Sequence, residues 1–315
     1  MENQEKVDLR DVMVQTLMQA VADNLDVVVV VSDSTSTAKI GPFQQKYPDR
    51  VINVGIAEQN LIGVATGLSL GGHIAVTANA APFLVARSNE QVKNDVCYSN
   101  TNVKLVGLNA GVTYGPLAST HHAIDDLSIM LGLGNILVLA PSDPVDTAQI
   151  FRFALEYRGP VYIRLDSAKF PILHQAGYHF QPGKVDVLQT GKDVTIAAVG
   201  SVVHEAVAAA QELKAAAIDA EVLNIASLRP LEKQQLVASL QKTKHVVTVE
   251  EHSLHGGLGS LIAEIIADEG LAVRCKRLGI PAGQFSKAGP RHAIRAYYQI
   301  DAAGIVATVK TLLSK

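Results

Sequence analysis

The sequence predicts an α/β protein of two domains, each a mostly parallel sheet flanked by helices. With 315 residues, 48% of them hydrophobic and 18% charged, the chain is long enough for about two hydrophobic cores. Short apolar runs alternate with helical patterns in two successive series, which favours parallel sheets covered on both faces. A stretch rich in Pro, Gly and polar residues lies between the two series and predicts the domain boundary.

The first series predicts a domain over residues 1–172. It contains a helix predicted at 57–70 and the apolar runs of six predicted strands, which are 27–32, 51–54, 74–77, 103–108, 136–139 and 161–164. A connector is predicted at 173–190, where the sequence is least periodic.

The second series predicts a smaller domain over residues 191–315. Its strands are predicted at 194–199, 220–225 and 246–249. Its helices are predicted at 202–216, at 231–240 and after the GGLG segment at 256–259.

Charge and hydropathy exclude two classes of partner. The net charge is −3 and no block of Lys and Arg stands out, so no nucleic acid is expected to bind. The most apolar run, 27–31, is far too short to span a bilayer, and the start, MENQEKVDLR, lacks the apolar core of a signal peptide. We therefore expect a cytoplasmic protein that does not insert in a membrane.

The segment at 51–72, VINVGIAEQNLIGVATGLSLGG, places Glu58 in the first turn of a helix that follows a strand. Acids in first turns commonly do no more than favour the positive end of a helix. Here, however, the helix also carries Gly63, Gly67 and Gly71 on one face, and each weakens it by about 1 kcal/mol relative to Ala. This pattern predicts close approach of another domain or subunit, with Glu58 at a crevice beside it.

This segment resembles the pyrimidine-binding domain of the transketolase type of thiamine-diphosphate enzymes. The later chain contains, in order, DVTIAAVGSVVHEAVAAAQEL, LNIASLRPLE, VTVEEHSLHGGLGS and RLGIPAGQF, which resemble blocks of the transketolase C-terminal domain. The resemblance covers nearly the whole chain and implies that thiamine diphosphate is the cofactor and Glu58 its activating acid. An apolar cleft raises the pKa of a carboxyl group, which suits proton sharing with the aminopyrimidine N1′.

The resemblance assigns further residues to the cofactor and the substrate. Phe83, in APFLVARSNEQ, would stack on the aminopyrimidine, and Asp33 would line the cofactor cavity. In STHHAIDD, His121 rather than His122 would bind substrate hydroxyls. Core packing of Phe83 and solvation of the loop histidines are the alternatives that position alone leaves open.

A substrate phosphate would be bound by two arginines. The resemblance places phosphate-binding arginines at Arg164, which ends the strand VYIR, and at Arg10, for which a surface role is the alternative. Ser36, in the loop SDSTST, could add a hydroxyl donor to the same anion.

The chain departs from the family pattern around this site. Leu117 and Asn109 stand where an aspartate and a histidine are expected, and Ala80 and Asn89 replace expected aromatic residues. We therefore expect an unusual donor or an altered activity. By contrast, the run Glu250 to His252 is interpreted as a polar strand end at a domain interface.

The diphosphate half of a thiamine-diphosphate site is absent from the sequence. There is no Gly-Asp-Gly motif with paired asparagines after it and no Walker-type loop, and no metal ligand is predicted in this chain. The resemblance therefore implies a partner subunit that holds the diphosphate and Mg²⁺, in a heterotetramer of two copies of each chain.

The expected reaction is transfer of a two-carbon ketol unit from a ketose phosphate to an aldose phosphate. Three alternatives remain open at this point. The chain could be the beta subunit of a 2-oxo-acid dehydrogenase decarboxylase, a relative of deoxyxylulose-phosphate synthase, or a non-catalytic regulatory or binding subunit. Retention of Glu58 disfavours the last, because a carboxylate in an apolar cleft is costly without a purpose.

Overall fold

A computed structural model describes residues 6–175 and 177–314 of the chain. Residues 1–5, which belong to the predicted first domain and to the MENQEKVDLR start, lie outside the described part, as do residue 176 of the predicted connector and residue 315.

The first domain is built on a parallel sheet. Its strands are β1 (Lys6–Asp8), β2 (Val27–Val31), β3 (Val51–Asn53), β4 (Ile74–Ala80), β5 (Val103–Leu108), β6 (Leu137–Leu139), β7 (Val161–Leu165) and β8 (Lys169–Pro171). The main sheet has the order β6-β7-β5-β4-β2-β3, all parallel, while β1 and β8 form a separate antiparallel pair.

The second domain has a five-stranded sheet, and one further strand of it joins the sheet of the first domain. Its strands are β9 (Asp186–Gln189), β10 (Val194–Ala198), β11 (Ala220–Asn224), β12 (Ser227–Arg229), β13 (His245–Ser253) and β14 (Arg274–Ile280). The order is β14-β13-β10-β11-β9, with only β9 antiparallel to its neighbour. β12 instead pairs antiparallel with β6, so it extends the sheet of the first domain.

Helices cover these sheets. Those of the first domain are α1 (Leu9–Ala22), α2 (Gly41–Lys46), α3 (Glu58–Leu70), α4 (Asn89–Gln91), α5 (Asp126–Leu131) and α6 (Pro144–Glu156). Those of the second are α7 (Val203–Ala215), α8 (Lys233–Thr243), α9 (Leu258–Asp268), α10 (Arg291–Tyr297) and α11 (Ala302–Leu313). Two π-helical segments, Phe83–Arg87 and Val92–Tyr98, flank α4. No helix in the described residues is both long and apolar enough to cross a bilayer.

Side-chain alternation along β2 explains why both faces of the first sheet are covered. All five valines of β2 are buried. Val29 and Val31 pack in the core that includes Leu17 of α1, whereas Val30 packs in the core that includes Leu61 of α3, because successive side chains of a strand point to opposite faces.

The predicted fold class is confirmed, and the strands that were not predicted are short or polar. Every predicted strand is present, and β4 runs three residues beyond the prediction, which ended at Thr77. One short strand that was not predicted, β9, lies inside the predicted connector. The strands β1, β8, β9 and β12 are only three or four residues long, too short to show a period.

Candidate active site

The candidate site lies at the carboxyl edge of the first sheet. Asp33 follows β2, Glu58 follows β3, Phe83 follows β4 and Asn109 follows β5. The carboxyl ends of parallel strands meet at one edge of a sheet, which is where open α/β folds bind ligands.

Glu58 is the buried acid of this edge. It is the first residue of α3, and its side chain is only 3% exposed. Its Oε1 accepts a hydrogen bond from Asn79 Nδ2 at 3.4 Å, and its Oε2 accepts one from Arg87 Nη1 at 2.6 Å. The expected burial is present, but the expectation of an apolar cleft is wrong, because an amide and a guanidinium contact the carboxylate.

Aromatic rings join the predicted residues into one cluster. The ring centroid of Phe83 lies 5.2 Å from that of His121, edge to face, and 4.8 Å from the Arg87 guanidinium carbon. The ring of Tyr114 lies 5.4 Å from His121 on another side. Phe83 is only partly buried, so it is not simply a core residue. Glu58, Phe83 and His121, predicted from separate segments, are therefore connected by contacts through Arg87.

Asn79, Arg87 and Tyr114 also belong to this cluster, although they were not predicted as site residues. Arg87 is four residues after Phe83, a spacing that places two residues on one face of a helix, and this was the available signal. Asn79 lies on β4 beyond the predicted strand end. Nothing in the loop around Tyr114 pointed to that residue.

The two adjacent histidines have different environments. His122 is 2% exposed, and its Nδ1 and Nε2 lie 2.5 Å from Ser286 Oγ and 3.0 Å from the Gly115 carbonyl oxygen. Burial lowers its pKa. His121 is half-buried, and its Nδ1 lies 3.0 Å from Thr120 Oγ1. This difference supports the preference for His121 as the residue that faces a ligand.

Arg10 is held beside the SDSTST loop. Its Nε and Nη2 donate to the two carboxylate oxygens of Asp8 at 3.0 and 2.8 Å, and its Nη1 donates to the Thr37 carbonyl at 3.0 Å. Burial would raise the pKa of Asp8, but the hydrogen bonds from Arg10 and Lys39 outweigh it and lower that pKa to about 2. A phosphate at Arg10 would therefore compete with a strong ion pair.

Asp33 and Ser36 are exposed on the same loop. Together with Asp11 and Lys39 they line an open depression of about 570 Å³. Lys39, which the sequence analysis did not single out, lies 2.9 Å from carboxylate oxygens of both Asp8 and Asp11. Lys39 therefore adds a second, already paired cation beside Arg10.

The side chain of Arg164 has a different environment from the one expected. Its side chain is 3% exposed; Nε donates to the Asp126 carboxylate at 2.8 Å, and Nη2 donates to the carbonyls of Ala123 and Glu251, both at 3.0 Å. The prediction that Arg164 binds a substrate phosphate is therefore not supported by this geometry. The buried carboxylate of Asp126 binds the guanidinium, which also donates to the Glu251 carbonyl and so connects the two domains.

The run Glu250 to His252 contacts the first domain, since the Glu251 carbonyl accepts a hydrogen bond from Arg164 and His252 Nε2 accepts one from the Ser128 N–H group at 3.4 Å.

The hydrogen bonds of the Glu250 and Glu251 carboxylates lie within the second domain. Glu251 accepts hydrogen bonds from Arg291 and Arg295. Burial would raise the pKa of Glu251, but these two arginines lower it. Glu250 accepts the backbone N–H groups of Leu258 and Gly259 at 2.7 and 2.9 Å, and burial raises its pKa to about 7.

The side chains of Glu58 and Phe83 suit a planar nitrogen heterocycle. Glu58 offers a buried carboxylate for an N–H group, and Phe83 offers a partly exposed aromatic face beside it. Over residues 6–175 and 177–314, no three His, Cys, Asp or Glu side chains are arranged to hold a metal ion. The carboxylate of Glu58 and the aromatic face of Phe83 are groups that would fit the pyrimidine half of thiamine diphosphate.

The residues that depart from the family pattern add neither a charged nor an aromatic side chain to the site. Leu117 is 51% exposed beside the loop of His121, and Asn109 is buried, with its N–H donated to Ser167 Oγ at 3.1 Å. Ala80 is buried and Asn89 is exposed, so neither adds an aromatic face.

Two family models match the chain. The transketolase pyrimidine-binding domain matches residues 5–171, and the transketolase C-terminal domain matches residues 183–305. Together the two matches span both sheets of the structure.

Similar proteins of comparable length are subunits of transketolases. An apulose-4-phosphate transketolase subunit of Actinobacillus succinogenes is 52% identical, over 95% of this chain and 96% of that one. A 6-deoxy-6-sulfo-D-fructose transketolase subunit of Clostridium sp. (strain MSTE9) is 37% identical, over 86% and 84% of the two chains. A solved split-gene transketolase, described as an inactive β4 tetramer, is 37% identical with a TM-score of 0.88, over 98% and 99% of the two chains.

Proposed function

Because this chain belongs to the transketolase family, we propose that it is the pyrimidine-binding and C-terminal subunit of a two-chain transketolase. The observation that carries the proposal is the cluster of Glu58, Phe83 and His121 at the carboxyl edge of the first sheet. The cluster lies in the domain that matches the family's pyrimidine-binding domain.

The proposed reaction transfers a two-carbon ketol unit from a ketose phosphate to an aldose phosphate. Thiamine diphosphate, when bound, supplies the carbon nucleophile that takes up the ketol unit. Glu58 shares a proton with the aminopyrimidine N1′, Phe83 stacks on the ring and His121 orients substrate hydroxyls. Apulose 4-phosphate is the proposed donor, by similarity to the 52% identical protein named for that substrate.

Substrate phosphate is proposed to bind near Arg10 and Ser36. The guanidinium of Arg10 contacts the loop that carries Ser36, and Asp33 on the same loop is proposed to line the cofactor cavity. A bound phosphate would compete with Asp8 for the Arg10 guanidinium, because the two side chains form an ion pair.

A partner subunit is proposed to hold the diphosphate and Mg²⁺, in an assembly with two copies of each chain. The exposed face of α3 supports this. Within the described residues, a Cβ atom added at Gly63 or at Gly67 would meet no atom within 4 Å beyond its own stretch of helix, and Leu70 on the same face is 75% exposed. These glycines weaken the helix without a packing role inside the chain, which suits a surface that another chain covers.

The test is the substitution Glu58→Gln in the complex of this chain with its partner. The amide keeps the shape of the carboxyl group but cannot share its proton, so ketol transfer should fall about 10²- to 10⁴-fold. Size-exclusion chromatography should show unchanged assembly. The control Glu212→Gln, on the exposed surface of α7, should leave both properties unchanged.

Wild-type turnover in the Glu58→Gln complex would contradict the role given to Glu58. No ketol transfer in the wild-type complex would favour the non-catalytic alternative.

A further inference from the structure

Arg87 contacts both side chains that the proposed function assigns to the aminopyrimidine ring. Its Nη1 donates to Glu58 Oε2 at 2.6 Å, and its guanidinium carbon lies 4.8 Å from the centroid of the Phe83 ring. A ring that donates to Glu58 while it stacks on Phe83 would require the same space. Resting on the proposed function, we infer that Arg87 occupies the aminopyrimidine position before the cofactor binds and leaves that position when it binds.

The guanidinium of Arg87 and an aminopyrimidine ring are chemically similar, which explains how one can take the place of the other. A guanidinium is planar and delocalised, carries N–H donors along its edge and stacks on aromatic faces. An aminopyrimidine protonated at N1′ is likewise planar, with N–H donors on its edge. The site therefore accepts Arg87 through the same two contacts, one with a carboxylate at the edge and one with an aromatic face.

Burial shows which partner is free to move. The side chain of Arg87 is 48% exposed, whereas that of Glu58 is 3% exposed and is also held by Asn79. Arg87 can therefore turn into solvent by changing rotamer, while the Glu58 carboxylate stays in place. Before the cofactor binds, Arg87 also stabilises the chain, because a buried carboxylate without a partner would be unfavourable.

This arrangement makes Arg87 a competitor of the cofactor. Only the molecules in which Arg87 has left can bind, so the measured affinity is reduced by the fraction that is open. Removing the guanidinium should have two effects of opposite sign. The cofactor should bind more tightly, and the cofactor-free chain should become less stable because Glu58 loses its partner.

The test measures binding of thiamine diphosphate with Mg²⁺ to the assembled complex by calorimetry. For Arg87→Gln we expect the Kd to fall about three- to tenfold, a change of about 1 kcal/mol. The isolated Arg87→Gln chain should melt at a lower temperature than the wild-type chain. Arg152→Gln is the matched control, because Arg152 is similarly exposed at 40% and is paired with Asp23 and Glu156 away from the site; its cofactor affinity should not change.

Unchanged or weaker cofactor binding by Arg87→Gln, with normal binding by the wild type, would overturn the inference and leave the proposed function standing. No cofactor binding by the wild-type complex would refute the proposed function, and the inference with it. If Arg87→Gln does not fold, a crystal structure of the wild-type complex with cofactor tests the inference instead. A guanidinium displaced from Glu58 supports the inference, and one still bonded to Glu58 overturns it.

Discussion

Two neighbouring histidines show how the environment of a residue separates a structural role from a functional one. Both ring nitrogens of His122 lie at hydrogen-bond distance from buried partners, and the ring is almost fully buried. His121 instead lies edge-on to Phe83 and Tyr114 at the rim of the site. The two side chains should therefore respond differently to truncation.

We predict that His121→Ala lowers kcat/KM for ketol transfer by about 10²-fold or more, with little change in melting temperature. His122→Ala should instead destabilise the chain by about 1 to 3 kcal/mol, because it leaves buried polar partners unpaired. Steady-state kinetics of the complex and thermal melts of the isolated chain test both. A large loss of stability in His121→Ala with normal kinetics would reverse the assignment.

At the residue scale, local sequence located the acid of the site but not the groups around it. Glu58 was predictable because a strand-to-helix corner is visible in the sequence. Its contacts with Asn79 and Arg87 were not, because they come from a different strand and a π-helical segment. Arg164 ends a strand as predicted, yet its direction is set by the buried Asp126, which the sequence pattern could not reveal.

At the scale of one element, α3 has a buried apolar face and an exposed face that carries two glycines. Leu61, Ile62 and Ala65 are fully buried. Gly63 and Gly67 lie on the exposed face, where added Cβ atoms would meet nothing. The helix therefore lacks side chains where we propose that the partner subunit packs.

We predict opposite effects for small and large side chains at Gly67. Gly67→Ala should stabilise the isolated chain by about 1 kcal/mol, because alanine favours the helix and meets no neighbour. Gly67→Phe should keep the chain folded but prevent co-purification with the partner. Lys214→Phe, on the exposed surface of α7, controls for added surface bulk. Normal assembly of Gly67→Phe would place the partner elsewhere.

Strands with a continuous apolar run were predictable, and very short strands such as β12 were not. The buried valines of β2 identify a central strand, since each face of the sheet is covered. β12 has no such signal, because pairing with β6 of the other domain, rather than its own three residues, defines it as a strand.

At the scale of the whole molecule, a shared sheet and polar contacts join the two domains. β12 extends the first sheet, the Arg164 guanidinium donates to the Glu251 carbonyl, and Arg291 of α10 pairs with Asp166, which follows β7. Arg164 and Asp166 lie at the carboxyl end of β7, on the same edge of the sheet as Glu58. We propose that this chain presents the pyrimidine half of the site and that the partner supplies the other half.

The most direct test of this account mixes the purified chain with its purified partner and measures ketol transfer from apulose 4-phosphate or another ketose phosphate. With thiamine diphosphate and Mg²⁺ present, neither chain should be active alone, and activity should rise with added partner until the two chains are equimolar. Omitting thiamine diphosphate should abolish that activity. Ketol transfer by this chain alone would contradict the account.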